Sequence, residues 1–426
     1  MFVSVFLYLN ERIFRRQYME GMEMKNIRLT DKYLWLCIGM VSNISAFKIW
    51  GNTIFIYLLY GLVFLFLSKE KKIKIYYTPY IIYVGAAVIS TFLCLISPEL
   101  VLDWKIKCMT AFANTSIILL IYYIMTGVQK RVEYFLKGIR ICCILQVVWG
   151  WGQLILDKAF GLELNLMLGF SDQYKSGKMV YNALTAHAGL LVPTLIIGFL
   201  TEKNLFAKLL FLGFAFLTRN TTVMIAMFCC VLLYGIMISI PQYLFHLSKD
   251  KAKRALLLAV IVVICLTIML DNVRDDFVYN FSRVISLMNG RMTSGSDATH
   301  LRYLTSFPKI IANSSIVNIL FGFGLGTSGF QMVKYFNQYS TSIWTVECDW
   351  IDIFYSVGVI GFAIIYGVLI YISILGYKIN KKYTIYGLSM MIAGAFYNFH
   401  LYWVLIFEII LFDFVRKKRD IWKVIC

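Results

Sequence analysis

The residues best suited to chemistry fall into four groups in the second half of the chain. In "FLTRNTT", Arg219 stands between two short apolar runs, beside Asn220, Thr221 and Thr222. A guanidinium so near hydrocarbon is costly, so it either faces a cavity or snorkels to the headgroups from a helix end. The neighbouring donors add to an anion site. In "NGRMTSGSDATHLRY" stand Arg291, Asp297, His300 and Arg302. Arginine keeps its charge and grips phosphate or carboxylate through paired N–H groups, so two of them could hold a diphosphate. Solvated loop charges are the plainer reading, and His300 is either structural or a base.

The third group is "LFGFGLGTSGF", with glycines at 322, 324, 326 and 329. Glycine permits close backbone approach and positive φ. No strand–turn–helix unit surrounds this stretch, so it does not read as a nucleotide cradle. A tight re-entrant turn lining a substrate cavity is expected, with Gly324 and Gly326 at binding positions. The fourth group is "TVECDWIDIFYSVGVIGF", where Glu347, Asp349 and Asp352 gather at the mouth of an apolar run. Asp349 and Asp352 share a helical face at i, i+3. Carboxylates there can cap a helix, or take a proton from a sugar hydroxyl. Together the four groups predict an outward-facing cavity, with arginines for an anionic leaving group and carboxylates for an acceptor hydroxyl.

The elements that must hold these groups are apolar. The chain has 426 residues, of which 60% are hydrophobic and only 15% charged, and its mean hydropathy is +0.73. That balance leaves too little polar surface for a water-soluble domain and points to the bilayer. The net charge of +18 is carried largely in short segments such as "SKEKKIK" at 68–74, "KDKAKR" at 249–254, "YKINKK" at 377–382 and "VRKKRD" at 415–420. This is the positive-inside pattern rather than a groove for nucleic acid. The ten cysteines are scattered and mostly inside apolar runs, with no zinc spacing, so no metal is expected. Cys348 lies in a polar stretch and is expected to be free. "MFVSVFLYLN" lacks a small-residue cleavage site and does not read as a removable signal.

An all-α polytopic integral membrane protein follows, a single membrane domain with about twelve transmembrane helices. The expected spans are 32–49, 51–68, 76–97, 108–126, 135–157, 180–200, 206–218, 221–240, 255–270, 351–374, 384–397 and 401–415. With the N-terminus inside, every second gap carries Lys or Arg. A smaller extracytoplasmic loop covers 158–179. A large one covers 271–350 and should contain short helices packed over a cavity near the membrane surface. No internal repeat and no separate soluble domain is evident. Trp344, Tyr335 and Tyr339 are aromatic enough to stack on sugar rings.

The order "LTRNTT", then "NGRM…HLRYLTSFPKI", then "NILFGFGLG", then "VECDWIDIFYSVGVIGF" resembles Wzy-type polysaccharide polymerases of the O-antigen ligase-like superfamily. The resemblance covers roughly 205–370, and the order of the motifs carries it. It implies a glycosyltransferase working on undecaprenyl-diphosphate-linked oligosaccharides, both donor and acceptor, at the outer face of the bacterial cytoplasmic membrane. No cofactor is implied, and a chain-length regulator is an implied partner. Arg219 and Arg302 match the family's functional arginines, and Arg291 matches a commoner Gly-Arg element. The ligase branch typically has a histidine where this chain has "VECDWID", which favours a polymerase and leaves His300 or a carboxylate as the base. A ligase, or a lipid-linked oligosaccharide flippase, are the alternatives.

Overall fold

The computed structural model describes residues 29–46, 48–49, 52–69, 78–168, 173–175, 178–218, 220–239, 282, 295–336, 346–397 and 402–425. The chain is an all-α membrane protein: five helices are long and apolar enough to cross a bilayer, within Pro79–Ile96, Leu102–Thr126, Gln129–Phe160, Thr222–Ser239 and Asp349–Gly376. Shorter apolar helices accompany them at Phe55–Phe66, Ala188–Thr201 and Leu205–Leu217. The expected span 255–270 lies outside the described residues.

In chain order the helices are α1 (Leu29–Val41), α2 (Ile54–Lys69), α3 (Pro79–Ile96), α4 (Leu102–Thr126), α5 (Gln129–Phe160), α6 (Leu164–Met167), α7 (Val192–Thr201), α8 (Leu205–Leu217) and α9 (Thr221–Tyr234). Then follow α10 (Gly295–Ala312), α11 (Ile316–Phe321), α12 (Ser328–Phe336), α13 (Asp349–Gly376), α14 (Lys382–Gly394), α15 (Tyr402–Arg416) and α16 (Ile421–Ile425). Two small antiparallel hairpins pair Lys48–Ile49 with Asn52–Thr53 and Gln173–Lys175 with Lys178–Val180.

Local chemistry sets several boundaries. Pro79 opens α3, where its missing N–H costs nothing. Asn204 and Asn220 cap α8 and α9, accepting from the N–H groups of Phe206 and Val223. Gly161, at φ +65°, ends α5 in the left-handed region. Helix α1 lies along α5, and they cross where Gly39 and Gly138 face each other. A Cβ added at either would stand 2.8 Å from the other's Cα, so only glycine lets the backbones approach so closely.

The apolar run 180–200 is not one helix. Residues 181–187 are irregular, and helical structure begins at Ala188. Side chains of α5 brace the irregular backbone: Gln153 Oε1 accepts from Ala183 N at 2.8 Å and Gln146 Oε1 from Leu184 N at 2.9 Å. Gln146 Nε2 also donates to Asn43 O. Non-helical backbone survives among apolar helices because protein groups satisfy it.

The larger correction concerns α13, expected as a single span over 351–374. Gly358 leaves helical geometry at φ +71°, ψ −169°. Tyr366 Oη donates to Asp349 Oδ2 at 2.8 Å. Seventeen residues of continuous helix would separate these groups by about 25 Å, so the chain folds back at Gly358. One arm runs 349–357 and the other 359–376. The ring centroids of Trp350 and Tyr366 lie 6.1 Å apart across the two arms. Trp350 Nε1 donates to Met391 O of α14 at 3.0 Å.

Candidate functional site

The arm 349–357 needs partners for the carbonyls that the break at Gly358 leaves without helical donors. Phe323 N donates to Tyr355 O at 2.6 Å, and Ser90 of α3 donates to Ser356 O. The glycine-rich segment therefore lies directly against the turn. Gly322, Gly324 and Gly326 all have positive φ, at +83°, +123° and +68°. A Cβ on Gly322 would meet Val357 N at 2.5 Å. The expected tight turn is present here, packed against a folded-back helix arm.

A small second core ties the remaining pieces together. Tyr303 and Ile310 of α10, Met332 of α12, and Val346, Cys348, Ile351 and Tyr355 at the first arm are buried against one another. Phe307 meets Phe354 edge to face, with centroids 4.9 Å apart. The helix bearing His300 and Arg302 is thus fixed beside the segment 346–355, which carries the three acids. The side chains of His300 and Arg302, and all of Arg219 and Arg291, lie outside the described residues. So do Trp344 and Tyr339, and the Tyr335 side chain.

The three carboxyls diverge. Asp349 is fully buried and takes the Tyr366 hydroxyl. Asp352 accepts from Ser328, at the start of α12, whose Oγ in turn accepts from Val346 N at 3.0 Å. Both acids hold the arm in place. Cys348 is a free thiol, as expected, but it is buried rather than solvated, and burial pushes its pKa up to about 11. We expect Tyr366→Phe to lose one hydrogen bond to a buried carboxyl, at a cost of about 1–3 kcal/mol. A lower thermal midpoint of the detergent-purified protein would register it; an unchanged midpoint would show that the contact does not hold the arms together.

Glu347 differs. It reaches the surface, yet protein encloses it closely enough for burial to push its carboxyl above the ordinary glutamate range. Its charge acts on Tyr397, whose ring lies against Gly189, 2.8 Å from where a Cβ would stand. Three non-helical stretches therefore come together around Tyr397: 346–348, 395–397 and the segment leading into Ala188. Irregular backbone at a cavity, set among apolar helices, is where membrane proteins place substrate sites.

One group was passed over in the sequence. Glu408, within α15, is fully buried. Tyr80 Oη donates to its Oε2 at 3.4 Å. Its signal was a single acid in "VLIFEIIL"; a lone carboxyl inside an apolar run is costly enough to need a reason. Among the described residues no cluster of three or more His, Cys, Asp or Glu side chains could hold a metal ion. No family model matches the chain, and neither a curated protein nor a solved structure matches it.

Proposed function

We propose that this protein is a glycan-transferring polymerase of the Wzy type. It would move a growing glycan from undecaprenyl diphosphate onto the next lipid-linked repeat unit at the outer face of a bacterial cytoplasmic membrane. Twelve spans, an outward site over 271–350 and a chain-length regulator belong to the same reading. The observation that supports it best is the shared core of Tyr303, Val346, Cys348 and Tyr355. It sets the helix of Arg302 beside the segment that carries Glu347. In this reading Arg302, Arg219 and Arg291 neutralise the departing diphosphate. Glu347, the most exposed of the three acids, takes the acceptor hydroxyl's proton.

Deleting the gene and resolving surface polysaccharide on a gel tests this. A product stopped at one repeat supports a polymerase. Finished polymer left on its lipid carrier indicates a ligase instead. A flippase is the second reading, favoured by Glu408 buried among tyrosines inside the helical bundle; repeat units trapped on the inner side would establish it.

The pH dependence tests the base. Glu347 must be ionised to act, and its raised pKa places the acid limb of activity above the ordinary glutamate value of about 4.3. Activity should fall as pH drops through that limb. Glu347→Gln should remove the limb and about 10²–10⁴ of the rate. Stability runs the other way: below the ordinary value both states are protonated and the burial costs nothing. As pH rises through the raised value, the folded protein is destabilised relative to the unfolded chain. A Glu347→Gln enzyme with the parental rate and profile would clear Glu347 of this role.

A further inference from the structure

Two thiols meet beneath the glycine-rich turn. Cys94 lies in the last turn of α3 and Cys108 in the second turn of α4, helices joined by the short connection 97–101. Both side chains are buried. Gly324 closes over them. A Cβ at that position would stand 2.7 Å from Cys94 Cβ, 3.0 Å from Cys108 Sγ and 3.1 Å from Cys94 Sγ. Cys108 Sγ lies 3.8 Å from Thr91 Oγ1.

We propose that Cys94 and Cys108 are a redox-sensitive pair whose disulfide clamps α3 to α4 under the Gly324 turn. Two sulfurs on neighbouring helices that both stand within 3.1 Å of one point are close enough for a modest shift to reach a sulfur–sulfur bond of about 2.05 Å. The gaps on either side of this helix pair, 69–75 and 127–134, carry Lys and Arg. By the positive-inside rule the connection 97–101 then faces out, where disulfides persist. The oxidant is a disulfide compound. One cysteine thiolate attacks it, forming a mixed disulfide and releasing one thiol. The second thiolate displaces the other half, so two electrons and two protons leave with the reduced oxidant. The pair is covered in the resting protein, so its oxidation follows excursions of the Gly324 turn.

Native membranes holding the full chain would be treated with dithiodipyridine, a small permeant disulfide. After quenching with N-ethylmaleimide, peptides would be mapped by mass spectrometry without and with reduction. We expect the Cys94 and Cys108 peptides to appear mainly as one cross-linked species, lighter by two hydrogens than the free pair and released by reductant. In Cys94→Ser, the Cys108 peptide should carry a single thiopyridine or maleimide group instead. The oxidised chain should also melt several degrees higher, as expected for a closed loop. Recovery of the two wild-type peptides as separate adducts, or reduced and unlabelled after oxidation, would overturn the proposal. So would an equal yield of the cross-link from chain unfolded in detergent before oxidation.

Discussion

Gly358→Ala should remove nearly all folded protein from the membrane. Gly358 sits at φ +71°, ψ −169°, a region that side-chain-bearing residues scarcely populate and that costs them about 1–3 kcal/mol. Strain is the smaller part. A Cβ there would run into the backbone carbonyl of Leu320 and stand 2.5 Å from Phe321 N. The obstacle is backbone of α11, not a side chain that could rotate away. Relief requires parting α11 and the glycine-rich turn from the fold-back, and that breaks the Phe323–Tyr355 hydrogen bond as well. Gly367 in the second arm supplies the control: it is exposed, and nothing lies within 4 Å of its added Cβ. Gly367→Ala should be neutral or slightly stabilising, since alanine favours helix over glycine by about 0.5–1 kcal/mol. Fluorescence-detected size-exclusion after a heating series would compare the two. A Gly358→Ala protein with parental yield and melting would mean that α13 does not fold back here.

The same glycine shows what the sequence could and could not reveal. Hydropathy over 349–376 announces an apolar helix, and it is one by composition. Nothing in the run marks Gly358 as a turn rather than a helix-packing glycine such as Gly361. The turn depends on Gly322, far off in sequence, being free of a side chain. A single-chain pattern does not display such pairwise requirements. The irregular stretch 181–187 escaped for the same reason: its apolar residues fit a span, while the groups that unwind it, Gln146 and Gln153, sit on another helix. Local signals fared better. The glycine spacing at 322–326 announced positive φ at all three positions, and "ECDWID" announced acids at a helix mouth. What it did not announce was their division of labour. Asp349 is buried against Tyr366, Asp352 is half-buried against Ser328, and Glu347 is exposed.

Replacing Arg302 or Arg219 by alanine should abolish polymer while leaving the protein in the membrane. The argument starts from charge. In the proposed reaction, negative charge grows on the diphosphate as the glycosidic bond to the lipid carrier breaks, and near the hydrocarbon water is too scarce to solvate it. Fixed guanidiniums supply the missing stabilisation, and losing one such donor in other enzymes costs about 10²–10³ in rate. On a chain that grows by many successive transfers, each step slowed that far leaves only single-repeat product. Folding should survive Arg302→Ala, because neighbours in α10, Tyr303 and Ile310, carry its packing. Arg302→Lys keeps the charge and loses the paired N–H geometry, so it should give short chains at reduced yield. Gel ladders of surface polysaccharide, read beside an immunoblot of the membrane fraction, would rank the variants. Full-length polymer from both alanine variants would remove the arginines from the mechanism. The leaving diphosphate would then need a different partner beside Glu347.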